Sequence, residues 1–151
     1  MSIALYANCF DASALVKVFV DEADCGPVRM YFNTQSPTKY TTPFCYFETL
    51  SVLKTKWLRS NITKKQYFDA AFAVTVWFQA STRKISDLDI SNPSIFHEID
   101  VSDAFQILSI KEGYFAPLKY DSSTLLVTAD RLLAKAAEKE GIRSWYCLNP
   151  V

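Results

Sequence analysis

The chain has 151 residues, in which 16 Lys and Arg are balanced by 16 Asp and Glu, with a single His. That length fits one domain of the usual ~100–150-residue size, long enough to fold without a disulfide or metal staple. Half of the residues are apolar, 15% are aromatic and only three are Gly. These values exclude intrinsic disorder and collagen-like or Gly-rich linker character, and zero net charge excludes a uniformly basic nucleic-acid binder.

No Lys or Arg precedes Lys17, so the opening stretch lacks the positive leader of a secretory signal. The longest uncharged apolar run, residues 70–78, is much shorter than the ~20 residues of a membrane span. A soluble, cytoplasmic protein is expected. Cys9, Cys25, Cys45 and Cys147 are scattered singly, with no C-x-x-C spacing. They read as reduced, mostly buried thiols, and with only one His they argue against a zinc site.

In chain order, residues 3–10 form an apolar run that stops at Asp11 and predicts a buried strand. Residues 13–20 carry helical spacing (Leu15, Val16, Phe19) and lead into the acidic stretch Asp21, Glu22, Asp24. Pro27 can open a second helix, to about Phe32. Residues 39–42 are a short strand candidate. Pro43 opens a longer helix to about Leu58, nearly apolar on several faces. Thr63 and Gln66 have capping-box spacing and start a helix to about Gln79. Residues 84–90 predict a strand, and Asn92-Pro93 a helix to about Ile99. Ser102 is the expected cap of a helix over 103–112. Residues 124–128 predict a second buried strand, 131–140 a helix stopped by Gly141, and 143–148 the last strand. Strands separated by helices predict a single α/β domain: a three-layer α/β/α sandwich around a mainly parallel sheet. Sites in such folds form beyond the carboxyl ends of the strands.

Acidic residues recur at those ends. Asp11 follows the first strand, Asp130 follows the 124–128 strand with only Ala129 between, and Asp103 lies at a helix start. Glu48 sits among Phe44, Cys45, Tyr46 and Phe47, where a buried charge is expensive unless paired or metal-bound. Singly, each has a structural explanation as a helix cap, a first-turn acid or an ion-pair partner. Together, four carboxylates repel one another and call for a cation. Oxygen ligands without a His or Cys set suit a hard ion, Mg²⁺ or Mn²⁺. Such ions commonly serve phosphoryl chemistry, and no Walker loop, Gly-rich cradle or kinase signature is present, so hydrolysis of a nucleic-acid backbone is the better candidate.

These segments resemble a known family. Asp11-Ala12-Ser13-Ala14-Leu15-Val16-Lys17 resembles the opening motif of PIN-domain nucleases, and Thr42-Pro43 through Glu48 to Val52-Leu53 resembles their second. Val101-Ser102-Asp103-Ala104 resembles the third, and the run from Leu126 to Ala134, containing Thr128-Ala129-Asp130-Arg131, the fourth; Gly141-Ile142 and Asn149-Pro150 resemble the closing strand. The resemblance spans residues 5–150. It implies a Mg²⁺- or Mn²⁺-dependent endoribonuclease of the small, single-domain kind that often serves as the toxin of a toxin–antitoxin pair. Asp11, Glu48, Asp103 and Asp130 would be the acidic, metal-holding quartet, with Ser13 and Thr128 supporting it. The stretch from Asp103 to Asp130 is longer than in many members, with 111–123 as the extra loop. Asp100 and Asp121 are nearby acids able to stand in for Asp103.

RNA affinity leans on basic residues. Lys54, Lys56, Arg59, Lys64 and Lys65 form a run without an acid, and Arg131 adjoins Asp130. They read either as a solvated helix face or as a phosphate-tracking rim, with Arg131, Lys54, Lys56 and Arg59 as the substrate-binding candidates. Tyr67, Phe68, Phe72, Trp77 and Phe78 share one helix. They serve either core packing or a partner surface, for a homodimer or an antitoxin helix. His97 reads as a surface or cap residue. Two other readings stay open. One is a non-catalytic PIN-like protein- or RNA-binding module. The other is a small phosphatase, although Asp11-Ala12-Ser13 lacks the second Asp such enzymes usually carry.

Overall fold

The structure is a computed structural model that describes residues 7–35, 38–81, 99–112 and 124–148. Among the described residues, β1 (Ala7–Phe10) lies inside a four-stranded, all-parallel sheet. It pairs on one side with β2 (Thr38–Tyr40) and on the other with β3 (Thr124–Thr128), which in turn pairs with β4 (Ser144–Tyr146). The sheet order is therefore β2-β1-β3-β4. Cys9 lies opposite Tyr40 and Leu126, and Phe10 opposite Val127.

Successive strand residues point to opposite faces, and here each face has its own core. Cys9, Tyr40 and Leu126 pack with Ala104, Ile107 and Ile110 of α5 (Val101–Glu112) and Leu133 and Ala137 of α6 (Arg131–Lys139). Phe10 and Val127 pack with Ala14, Leu15 and Val18 of α1 (Ala12–Phe19), with Val28 of α2 (Gly26–Met30), and with Phe32 of the π-helical turn Tyr31–Gln35. Covered on both faces, β1 reads as a continuous buried run rather than an alternating one. A third core joins Val16 and Val20 to Leu53 of α3 (Pro43–Leu58) and to Ala70 and Val74 of α4 (Lys64–Ser81). The architecture is α/β and compatible with a three-layer sandwich. Among the described residues no helix is long and apolar enough to cross a membrane, and the four cysteines are free.

Local signals fix most element ends. Thr42 caps α3 by accepting from the Cys45 N–H at 3.1 Å, with Pro43 as its first residue. The Thr63–Gln66 box closes in both directions, at 2.7 and 3.1 Å. Gly141, at φ 79°, adopts the left-handed conformation that ends α6. Three expectations need correction. β2 stops at Tyr40, because the Thr41 hydroxyl turns aside to donate to the Phe10 carbonyl at 2.6 Å and Thr42 is taken up as a cap. β4 is shorter than 143–148. Asp100, not Ser102, caps α5: its Oδ1 accepts from both the Ser102 N–H and the Ser102 hydroxyl, at 2.9 and 2.7 Å. The strand expected over 84–90, the helix from Asn92, His97, Asp121 and Asn149-Pro150 lie outside the described residues, as does the 113–123 part of the extra loop.

Candidate functional site

Asp11 leaves the end of β1 in an extended conformation (φ −84°, ψ 173°), with its N–H donated to the Val127 carbonyl at 3.1 Å. The residue is only 5% exposed, and its carboxylate is drawn into a network. Oδ1 accepts from the Ala14 N–H at 3.1 Å and the Ser13 hydroxyl at 2.8 Å, and Oδ2 accepts from the Thr128 hydroxyl at 3.0 Å. Ser13 Oγ in turn accepts the Ala129 N–H at 2.8 Å, and Thr128 Oγ1 the Asp130 N–H at 2.9 Å. Each hydroxyl has one proton, which goes to Asp11, and lone pairs for the backbone donors. The predicted supporting pair therefore ties the ends of β1 and β3 to one carboxylate. Burial nevertheless pushes the Asp11 pKa up to about 7; the hydrogen bonds oppose the rise and the charge of Asp103 adds to it.

The other acids converge on the same edge. Asp130 caps α6, its Oδ1 accepting from Leu132 and Leu133 N–H at 2.9 and 3.3 Å. Asp103, half-buried in the first turn of α5, is raised to about 6 by burial and then by the negative charges of Asp130, Asp100 and Glu48. Glu48 is raised by loss of water around its carboxylate and by Asp100 and Asp130. It does not sit buried in its apolar helix, as its neighbours in sequence suggested: Glu48 lies on the exposed side of α3, together with Phe44 and Phe47. Asp100 is exposed, and capping α5 holds its carboxyl below the usual range. Of the described candidates for the third position, Asp103 is the half-buried one that feels all the others.

The acids thus run from buried (Asp11) through half-buried (Asp103, Asp130) to exposed (Glu48). Among the described residues no Lys or Arg forms an ion pair with any of them. Nor are any three acid, His or Cys side chains drawn close enough together to hold a metal ion as they stand. The donor chemistry fits a hard divalent cation. The buried Cys45 and Cys147 thiols nearby are pushed up to about 12 by burial and then by Asp11, so they stay protonated and are poor ligands for a soft metal.

The basic candidates fall on different surfaces. Lys56 and Arg59 line an open groove along α3 that begins at Glu48 and also holds Ser51, Val52 and Thr55. Arg59 is exposed; Lys56 is partly committed to an ion pair with Glu22, which also takes Lys17 at 2.9 Å. Lys54 is exposed and does not line this groove. Arg131 lies over the Tyr146 ring, 5.2 Å from its centroid, at the exposed start of α6. Lys65 pairs with Asp69 at 2.5 Å. The aromatic helix α4 divides. Phe78 is buried and Trp77 packs against the cores, whereas Phe68 and Phe72 are 55% and 71% exposed.

Sequence reasoning missed the capping role of Asp100, the Tyr146 platform under Arg131, and the buried amide of Gln106, which bonds to both Cys9 and Cys45. Asp100 carried a signal, being an Asp two residues before a Ser at a helix start. The other two are contacts between distant segments and leave no local trace. No protein-family model matches the chain, and no curated protein sequence matches it.

Proposed function

We propose that the protein is a Mg²⁺- or Mn²⁺-dependent endoribonuclease with a PIN-like fold, of the small kind that acts as the toxin of a toxin–antitoxin pair. The observation that carries this reading is the convergence of Asp11, Glu48, Asp103 and Asp130 at the carboxyl edge of a parallel sheet, with no Lys or Arg paired to them among the described residues. The four carboxylates would hold the cation, which when bound would stabilise negative charge on the scissile phosphate and favour water as the attacking group. Ser13 and Thr128 orient the innermost carboxylate and keep it from turning into solvent. Arg59, Lys56 and Arg131 would track phosphates on either side of the cluster, and the exposed rings of Phe68 and Phe72 would serve a homodimer or an antitoxin helix.

The deciding experiment is cleavage of end-labelled structured RNA with Mg²⁺ or Mn²⁺, with and without EDTA, by wild type and Asp11→Asn. Cation-dependent cutting that disappears in the variant is the expected result. A non-catalytic binding module is favoured by one observation, the exposed aromatic face of α4. That reading gains if folded wild type cuts none of several RNAs with either cation.

A further inference from the structure

Three of the elements that carry the acidic cluster meet again at one buried amide. Gln106 of α5 is fully buried; its Nε2 donates to Cys9 Sγ on β1 at 2.7 Å, and its Oε1 accepts from the Cys45 thiol on α3 at 2.9 Å. Each contact lies one structural repeat from a carboxylate. Cys9 and Asp11 are two apart on extended backbone, and so share a side of the strand. Cys45 and Glu48 are three apart on α3, and Asp103 and Gln106 three apart on α5, so each pair sits on neighbouring turns, the thiol and the amide on the buried side and the carboxylates towards the surface.

Stability alone does not call for an amide here. A buried amide is costly to desolvate, its partners are weakly polar thiols, and an apolar side chain of similar volume would fill the space more cheaply. What an amide adds is direction. It donates on one side and accepts on the other, so it fixes the approach of β1 to α3 in a way that close packing of apolar groups does not.

We propose that Gln106 is a positioning residue that sets how the elements carrying Asp11, Glu48 and Asp103 approach one another, and so how readily these carboxylates close on a divalent cation. The proposal rests on the cation-dependent reading above. Its test is calorimetric titration of Mn²⁺ alone into wild type, Gln106→Met, Cys45→Ala, Cys45→Ser and Asp11→Asn, each checked by thermal unfolding. Wild type is expected to bind and Asp11→Asn to lose binding. Gln106→Met should melt close to wild type yet bind about 10-fold more weakly, the lower end of the effect of removing a group bonded directly to metal ligands, because Gln106 acts through the elements that carry them. Cys45→Ser, which keeps a donor for Oε1, should retain affinity that Cys45→Ala loses. Equal Mn²⁺ affinity in wild type and Gln106→Met overturns the proposal. If Gln106→Met does not fold, equal affinity in wild type and Cys45→Ala overturns it. Weakened Mn²⁺ binding in the variants of a wild type that cuts no RNA leaves the positioning role standing and removes the nuclease reading. A wild type that binds no Mn²⁺ removes both.

Discussion

The Thr128 hydroxyl donates to Asp11 Oδ2 at 3.0 Å across 117 positions of sequence, joining the last residue of β3 to the first residue beyond β1. The same oxygen accepts the Asp130 N–H, so one side chain fixes the innermost acid and the backbone of another. Thr128→Val keeps the shape and removes both bonds. Leaving a buried carboxylate short of a donor should cost about 1–3 kcal/mol of stability, measured by urea unfolding, and Thr128→Ser should restore most of it. A Thr128→Val protein as stable as wild type would refute the importance of this bond.

The stability of the cation-free protein should carry the signature of Asp11. Its pKa rises from 3.8 to about 7 on folding, chiefly through burial. Between those values the native state keeps a proton that the unfolded chain has released. The contribution is therefore complete below about pH 4 and is lost as pH rises to about 7. Asp11→Asn has no such proton to lose, so wild type should fall relative to the variant by up to about 4 kcal/mol over that window. Parallel pH–stability curves for the two proteins would contradict the buried, raised carboxyl.

Cleavage should run the opposite way. Carboxylates must be ionised to hold a cation, and Asp11 and Asp103 are raised to about 7 and about 6. Activity with Mg²⁺ should rise from pH 5 to pH 8, and Glu48→Gln, Asp103→Asn and Asp130→Asn should each reduce it to background. Attack by water leaves a 5′-phosphate and a 3′-hydroxyl. A 2′,3′-cyclic phosphate at the cut would instead report attack by the RNA's own 2′-hydroxyl.

Lys56 and Arg59 share a groove but differ in what else they do. Arg59→Ala should lower the salt dependence of RNA binding by about one unit of log–log slope and leave stability unchanged. Lys56→Ala should weaken binding and also destabilise, because the Glu22 carboxylate, which Lys17 and Lys56 hold below its usual pKa, loses a partner. Equal salt slopes for wild type and Arg59→Ala would remove this groove from the RNA path.

The sequence by itself determined the order and type of the described elements, though not all of their ends. A buried strand must be an apolar run, and a helix must begin where a side chain can satisfy its first N–H groups. Residues 124–128, Pro43, the Thr63–Gln66 box and Gly141 therefore marked their elements correctly, and placed Asp11 and Asp130 at strand ends. Only the tertiary structure decided how those acids differ. Asp11 is buried under two hydroxyls while Glu48 faces solvent, a reversal of the burial that Glu48's aromatic neighbours suggested, because the exposed side of α3 carries Phe44 and Phe47 as well. Only the fold set Asp103 against Asp130 and Glu48, and Gln106 between two thiols. Caps, turns and strand runs are local, decided by residues within a few positions of one another. Burial, charge repulsion and a buried amide's partners depend on which distant segments the sheet order β2-β1-β3-β4 brings side by side.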